Sequence, residues 1–178
     1  MKKKTHAAHF LTMQLNTPQS IHPYIEVANN YQALQFDSLK LNKFFETVFS
    51  VHRHGLAGEL SIVFMDRESH SQLHGKYLQD FRPTDVITFP ADQENELAGE
   101  ICVSVDQAID ESQKRGLPFA HELGLYLIHG WLHLVGFDDL ENVDREIMRQ
   151  EEQRVIDQIK KSGYWPDFGS LISRSISN

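Results

Sequence analysis

The chain reads as an α+β protein: a single domain in which a small mixed four-stranded sheet is packed with about five helices. Three observations lead there. Short β-branched or aromatic runs, such as Leu60 to Met65 and Val86 to Phe89, alternate with longer segments whose apolar residues recur at helical spacing. The 178 residues, 40% of them hydrophobic, suffice for one compact core. No repeat, low-complexity tract or second-domain signal divides the chain. Helices beside a small sheet follow from this order of elements.

Residues 1–20 are polar and mixed, with Asn16-Thr17-Pro18 as a turn, and are expected to form a loosely ordered extension. The domain proper spans 21–161, and residues 162–178 form a C-terminal tail. Tyr24 to Val27 begins a first strand. Asp37-Ser38 caps a helix carrying Leu39, Leu41, Phe44, Phe45, Val48 and Phe49 at helical spacing. Leu60 to Met65 is a strand and Arg67 to Leu78 a helix. Val86 to Phe89 and Ile101 to Val105 are short strands, separated by an acidic loop at Asp92 to Glu96. Asp106 to Arg115 forms a helix stopped by Gly116, and Pro118 opens the next helix at its first turn. A last helix runs from about Leu140 to Lys161.

The helix after Pro118 holds the most informative residues. From Phe119 to Val135 it is apolar nearly all round, which marks a buried helix. Yet it carries His129 and His133, four residues apart and so on one face. Burying an imidazole without a partner costs about 1–3 kcal/mol, and here there are two. Metal binding removes that cost; so do separate hydrogen bonds to backbone carbonyls. Gly136 follows as a helix stop, and Asp139 lies where a reversed chain delivers a third ligand. Three protein ligands with a fourth position open is the usual catalytic zinc arrangement, so one zinc ion per chain is expected at His129, His133 and Asp139. A zinc-peptidase helix carries a glutamate directly after the first histidine, as general base. Here that position is Gly130, read as leaving one side of the metal open to a bulky substrate.

The segment His129-Gly130-Trp131-Leu132-His133-Leu134-Val135-Gly136-Phe137-Asp138-Asp139 resembles the His-Gly-x-Leu-His-Leu-x-Gly-x-Asp-His signature of the YbeY endoribonucleases, the ribosomal RNA maturation factors. Two further segments are similar: Thr84-Asp85-Val86-Ile87-Thr88-Phe89-Pro90 to the family's Thr-Asp-Val-Leu-Ser-Phe-Pro, and Gly99-Glu100-Ile101 to its Gly-Asp-Ile. The likeness runs from about Ile25 to about Ile159. It implies a metal-dependent endoribonuclease, specific for single-stranded RNA. Such an enzyme acts in the cytoplasm on the 3′ end of small-subunit ribosomal RNA and in ribosome quality control, with the ribosome or its assembly proteins as partners. The 21–161 domain is then catalytic.

Two positions depart from the family. Asp139 replaces the third histidine, keeping a ligand but lowering the site's charge by one unit and weakening the metal as a Lewis acid. Leu78 stands where the family has an arginine. Arg82, just before Pro83-Thr84, is the candidate replacement, as a catalytic phosphate clamp beside His129 and His133; an ordinary solvated arginine is the other reading. Thr84 and Thr88 offer hydroxyls from the cleft wall.

The remaining candidates have plainer readings. His70 and His74 are expected on a helix surface, and His52 and His54 at a solvated helix end. His121 is read as a first-turn residue. Asp138 with Glu141 reads as a capping box for the last helix, with support of a ligating histidine as the other reading. Lys2, Lys3 and Lys4 form a solubilising tail. The single Cys102, inside an apolar strand pattern, excludes an internal disulfide framework and fits a reducing compartment, so no disulfide-linked partner is expected. No apolar run approaches the ~20 residues of a membrane span, and the basic start lacks the apolar region of a secretory signal. A net charge of -8 argues against indiscriminate nucleic-acid binding, so RNA must be held locally. A zinc peptidase and a catalytically decayed ribosome-assembly module remain the alternatives.

Overall fold

The computed structural model describes residues 22–52 and 56–169. The extension expected over 1–20, with Lys2, Lys3 and Lys4, lies outside the described residues, as do His54 and residues 170–178. The elements are β1 (Tyr24–Asn29), α1 (Ser38–Val51), β2 (Glu59–Met65), α2 (Arg67–Leu78), β3 (Val86–Phe89), β4 (Leu97–Ser104), α3 (Val105–Arg115), α4 (Phe119–Leu134) and α5 (Asn142–Ser162). The sheet order is β1-β2-β4-β3. The β1–β2 and β2–β4 pairs are parallel, and β3 runs antiparallel to β4. The mixed four-stranded sheet with five helices is the fold that the element order predicts.

Alternation along β4 places a helix on each side of the sheet. Ile101 faces α4, where its Cγ2 approaches Gly130, while Cys102 points to α2, where its carbonyl meets His70. Neighbouring strand residues thus look to opposite faces, and both are buried. On the α4 side the core gathers Leu60, Ile62 and Phe64 from β2 with Phe44, Phe45 and Val48 from α1. Trp131, Leu127 and Ile128 are fully or almost fully buried and anchor α4 in it. Each such side chain stabilises by about 1.5–3 kcal/mol when removed from water.

Local chemistry explains the boundaries. The Asp37 carboxylate accepts from the Leu39 and Lys40 amides and starts α1, but Leu39 itself faces solvent. Asp66 caps α2 through the Ser69 amide, and Ser104 caps α3 through that of Gln107. The expected capping box of α5 does not form. Glu141 is the N-cap residue without a side-chain cap bond, and Asp138 Oδ1 instead accepts from the Asp139 and Leu140 amides. Its carboxylate serves the turn before the helix, which begins two residues later than expected.

Past α5 the chain keeps packing. Trp165 Nε1 donates to the Ala120 carbonyl and its ring lies over Gly124, while Phe168 is buried and bridges to Phe36. Among the described residues no helix is long and apolar enough to cross a membrane.

Candidate metal centre

Helix α4 ends as its sequence dictates. Gly136 adopts φ +98°, the left-handed conformation that glycine takes without strain. The Gly136 and Phe137 amides donate back to the His133 and Leu132 carbonyls, closing the turn. That reversal brings Asp139 beside the two histidines. The His129 and His133 Nε2 atoms lie 3.0 Å apart, and the Asp139 carboxylate oxygens are 3.7 Å from the first and 3.9 Å from the second. Ligand atoms around a tetrahedral ion with ~2.0–2.1 Å bonds are separated by ~3.3–3.4 Å. The three donors therefore have the spacing such an ion needs, and together they form a group able to hold one.

The hydrogen bonds behind the rings sharpen this. His129 Nδ1 lies 2.7 Å from Glu152 Oε1, and His133 Nδ1 lies 3.0 Å from the Phe137 carbonyl oxygen. Both partners accept only, so each Nδ1 carries the proton and donates it. In the neutral rings both Nε2 atoms then present lone pairs to each other, a contact that a shared cation satisfies. Holding a ligating histidine by its other nitrogen fixes the tautomer and ring orientation. Burial pulls the His129 pKa down, but the Glu152 hydrogen bond and the charges of Asp85, Glu152 and Asp139 outweigh it and leave it raised.

No local motif marks Glu152 as part of the site. The cue was present: positions 148, 152, 155 and 159 make one stripe of α5, and Met148, Val155 and Ile159 are core residues, so an acid sits at an inward position.

Gly130 has a different role from the one expected. Its missing Cβ faces the sheet, where an added methyl would lie 2.7 Å from Ile101 Cγ2 and 3.1 Å from Val86 Cγ2. The glycine lets α4 lie close on β3 and β4; it does not open a side of the metal site. A peptidase glutamate has no room there.

His129 and Asp139 line a cleft of about 670 Å³, walled by α3, α5 and the Pro83–Asp85 loop. Thr84 lines it and Thr88 does not. Arg82, the expected phosphate clamp, is not among its lining residues either: the side chain is 85% exposed and its guanidinium is held by Asp80. The cations that do line the cleft are Arg115, Arg145 and Arg149. Arg115 pairs with Glu122, which is fully buried on α4. Burial pushes the Glu122 carboxyl above the usual range, against the pull of the Arg115 guanidinium.

Two other histidine readings are corrected. His70 is 1% exposed, with Nε2 donating to the Cys102 carbonyl, and burial holds its pKa down. His52 is also buried, 3.0 Å from the Glu151 carboxylate. Both lie where a helix faces the core, which a polar local sequence conceals. His74 Nδ1 meets the Arg82 carbonyl, and His121 stacks on Trp165, away from the donor group.

Comparison with known proteins agrees with the motif. The family model described as Endoribonuclease YbeY matches residues 26–160. A curated relative from Carboxydothermus hydrogenoformans, named Endoribonuclease YbeY, is 31% identical over 74% of this chain and 94% of its own. One of the same name from Protochlamydia amoebophila is 35% identical over 77% of this chain and 93% of its own. A solution structure from Thermotoga maritima shares the fold, with a TM-score of 0.56 at 22% identity over 79% of this chain and 91% of that one. The chain belongs to the endoribonuclease YbeY family.

Proposed function

We propose that the chain is a metal-dependent endoribonuclease that cuts single-stranded RNA in ribosomal RNA maturation, with one zinc ion held by His129, His133 and Asp139. The observation that carries the reading is the pair of Nε2 atoms 3.0 Å apart, each on a ring whose Nδ1 proton is already engaged, with a carboxylate beside them. Two imidazoles, one carboxylate and an open fourth position suit zinc. When bound, the ion supplies Lewis-acid polarisation of a phosphoryl oxygen. Glu152 and the Phe137 carbonyl hold the two rings in the ligating tautomer. Asp139 contributes negative charge, and Gly130 keeps α4 seated on the sheet. The preference for a single strand follows the family analogy, since single strands are what sequence-reading RNA sites mostly take. Ribosomal RNA as substrate, with the ribosome or its assembly proteins as partners, follows the family. A cytoplasmic site of action follows the same analogy and is supported by the free, buried Cys102.

The test is metal analysis of purified protein, followed by incubation with single-stranded RNA, duplex RNA and casein. The expected result is one equivalent of zinc, lost in the His129→Ala, His133→Ala double variant, with chelator-sensitive cleavage of single-stranded RNA alone. Casein cleavage without ribonuclease activity, or neither activity in metal-loaded protein, overturns the reading.

A further inference from the structure

Helix α4 presents one polar stripe to the cleft: Glu122, Tyr126 and His129 at i, i+4 and i+7 all line it. At the N-terminal end of that stripe a carboxylate is fully buried in a helix that, besides the stripe, carries only His121 and His133 as polar side chains. Desolvating a carboxylate costs several kcal/mol, and an ion pair in its place adds little net stability over apolar residues. The pair is therefore better explained by what it holds than by what it stabilises. It holds Arg115: Nη1 lies 3.2 Å from Glu122 Oε1 and Nε lies 3.5 Å from Glu111 Oε2. These are ion-pair contacts along one side of the guanidinium, not hydrogen bonds, and among the described residues Nη2 has neither. The side chain remains 51% exposed, on the cleft wall.

The other two cleft arginines are not built in this way. Arg145 bonds to Asn142 and Arg149 to Glu146, each along the surface of its own helix. A planar fork anchored on a buried carboxylate, with donors left over, is a preorganised receptor for phosphate.

We propose that Arg115 binds a phosphate of the RNA strand at a subsite of the cleft remote from the metal donors, with Glu122 as its positioning residue. Seven residues of helix separate Glu122 from His129, or ~10 Å along the axis. At ~3.4 Å per nucleotide of a stacked strand, that is about three nucleotides from the phosphate at the donors, and fewer for an extended strand. The proposal rests on the endoribonuclease reading and adds to it a determinant of substrate length. It also supplies a cleft cation in a chain with Leu78 in place of the family arginine.

The experiment compares wild-type holoenzyme with Arg115→Ala, Arg115→Lys and Glu122→Gln on short and long single-stranded oligonucleotides of one sequence. Arg115→Lys preserves a cation for Glu122 should the alanine variant fail to fold. Wild type is expected to show a higher kcat/KM on RNA long enough to reach Arg115 than on a dinucleotide. Arg115→Ala should remove that gain, raising KM about tenfold on long RNA while leaving the dinucleotide unaffected. The salt slope of RNA affinity should fall by about 0.7, the value of one phosphate contact on a single strand. Arg115→Lys should lie between the two. Glu122→Gln should raise KM on long RNA alone, and should add nothing on an Arg115→Ala background. Lys43→Ala, on the far exposed surface of α1, serves as control and should change neither. Equal KM for Arg115→Ala and wild type on long RNA with an unchanged salt slope, or, should the alanine variant not fold, equal KM for Arg115→Lys and wild type, overturns the proposal while leaving the ribonuclease reading intact. A wild type that neither cleaves nor binds single-stranded RNA overturns both.

Discussion

Replacing Glu152 tests whether the donor group is held from behind. The carboxylate accepts the His129 Nδ1 proton at 2.7 Å, and both side chains are about 15% exposed, so little water is at hand to replace the bond. A hydrogen bond to a charged group contributes about 1.5–3 kcal/mol, against about 0.5–1.5 kcal/mol for a neutral one. Removing such a partner behind a metal ligand typically lowers metal affinity by about 10–100-fold, which is the same range. Glu152→Ala should therefore weaken zinc binding by about 10–100-fold. Glu152→Gln, whose amide oxygen still accepts, should weaken it by about three- to tenfold. Competition of purified protein against a chromophoric zinc chelator measures both, and circular dichroism checks that α5 remains folded. An alanine variant that binds zinc as tightly as the parent would show that the Nδ1 bond does not orient His129 for metal.

Asp139→Ala should lower zinc affinity by an order of magnitude or more, whereas Asp139→His should still bind one equivalent; a fully retained affinity in the alanine variant moves the third ligand elsewhere. Gly130→Ala gains about 1 kcal/mol of helix propensity but forces a methyl to within 2.7 Å of a packed isoleucine, at about 1–3 kcal/mol. A net loss of stability is expected in urea melts, and an equal or higher midpoint would refute the close-packing role. His70 has its pKa lowered by burial, so the unfolded chain takes up its proton first as pH falls below about 6.5 and the folded state loses stability there. His70→Gln should be less stable than wild type at pH 7 by a margin that narrows toward pH 5; a constant or widening margin refutes the assignment.

What the sequence reveals follows the reach of each interaction. His129, His133, Gly136 and Asp139 lie on one helix and the turn that ends it, so spacing alone brings them together. The sheet is similarly readable, because β2 and β3 carry the apolar and β-branched runs that mark strands. Glu152 escapes such reading because its partner lies on another helix, 23 residues away; Arg115 is close to Glu122 in sequence, but the pairing depends on how α3 turns into α4. Arg82 is misleading for the same reason: proximity in sequence to Thr84 does not turn its side chain into the cleft, and a carboxylate two residues away claims it. Gly130 shows a subtler failure. A glycine beside a ligand suggests space for substrate, but which side of the helix lacks the Cβ depends on how α4 docks, and it docks with that side to the sheet.

The donor group draws its three ligands from eleven consecutive positions, 129 to 139, and only its rear support comes from α5. Contacts so close in sequence need little loop closure, so the ligand set can gather before the sheet is complete. Two consequences follow for folding with the ion present. On the proposed metal reading, an unfolded chain that kept some affinity for the ion through this one segment would gain less native stability from it than the native affinity alone implies. In such a chain the segment would meet α5 last, and the Glu152 bond to the His129 ring would be what separates a loosely chelated peptide from a fixed centre.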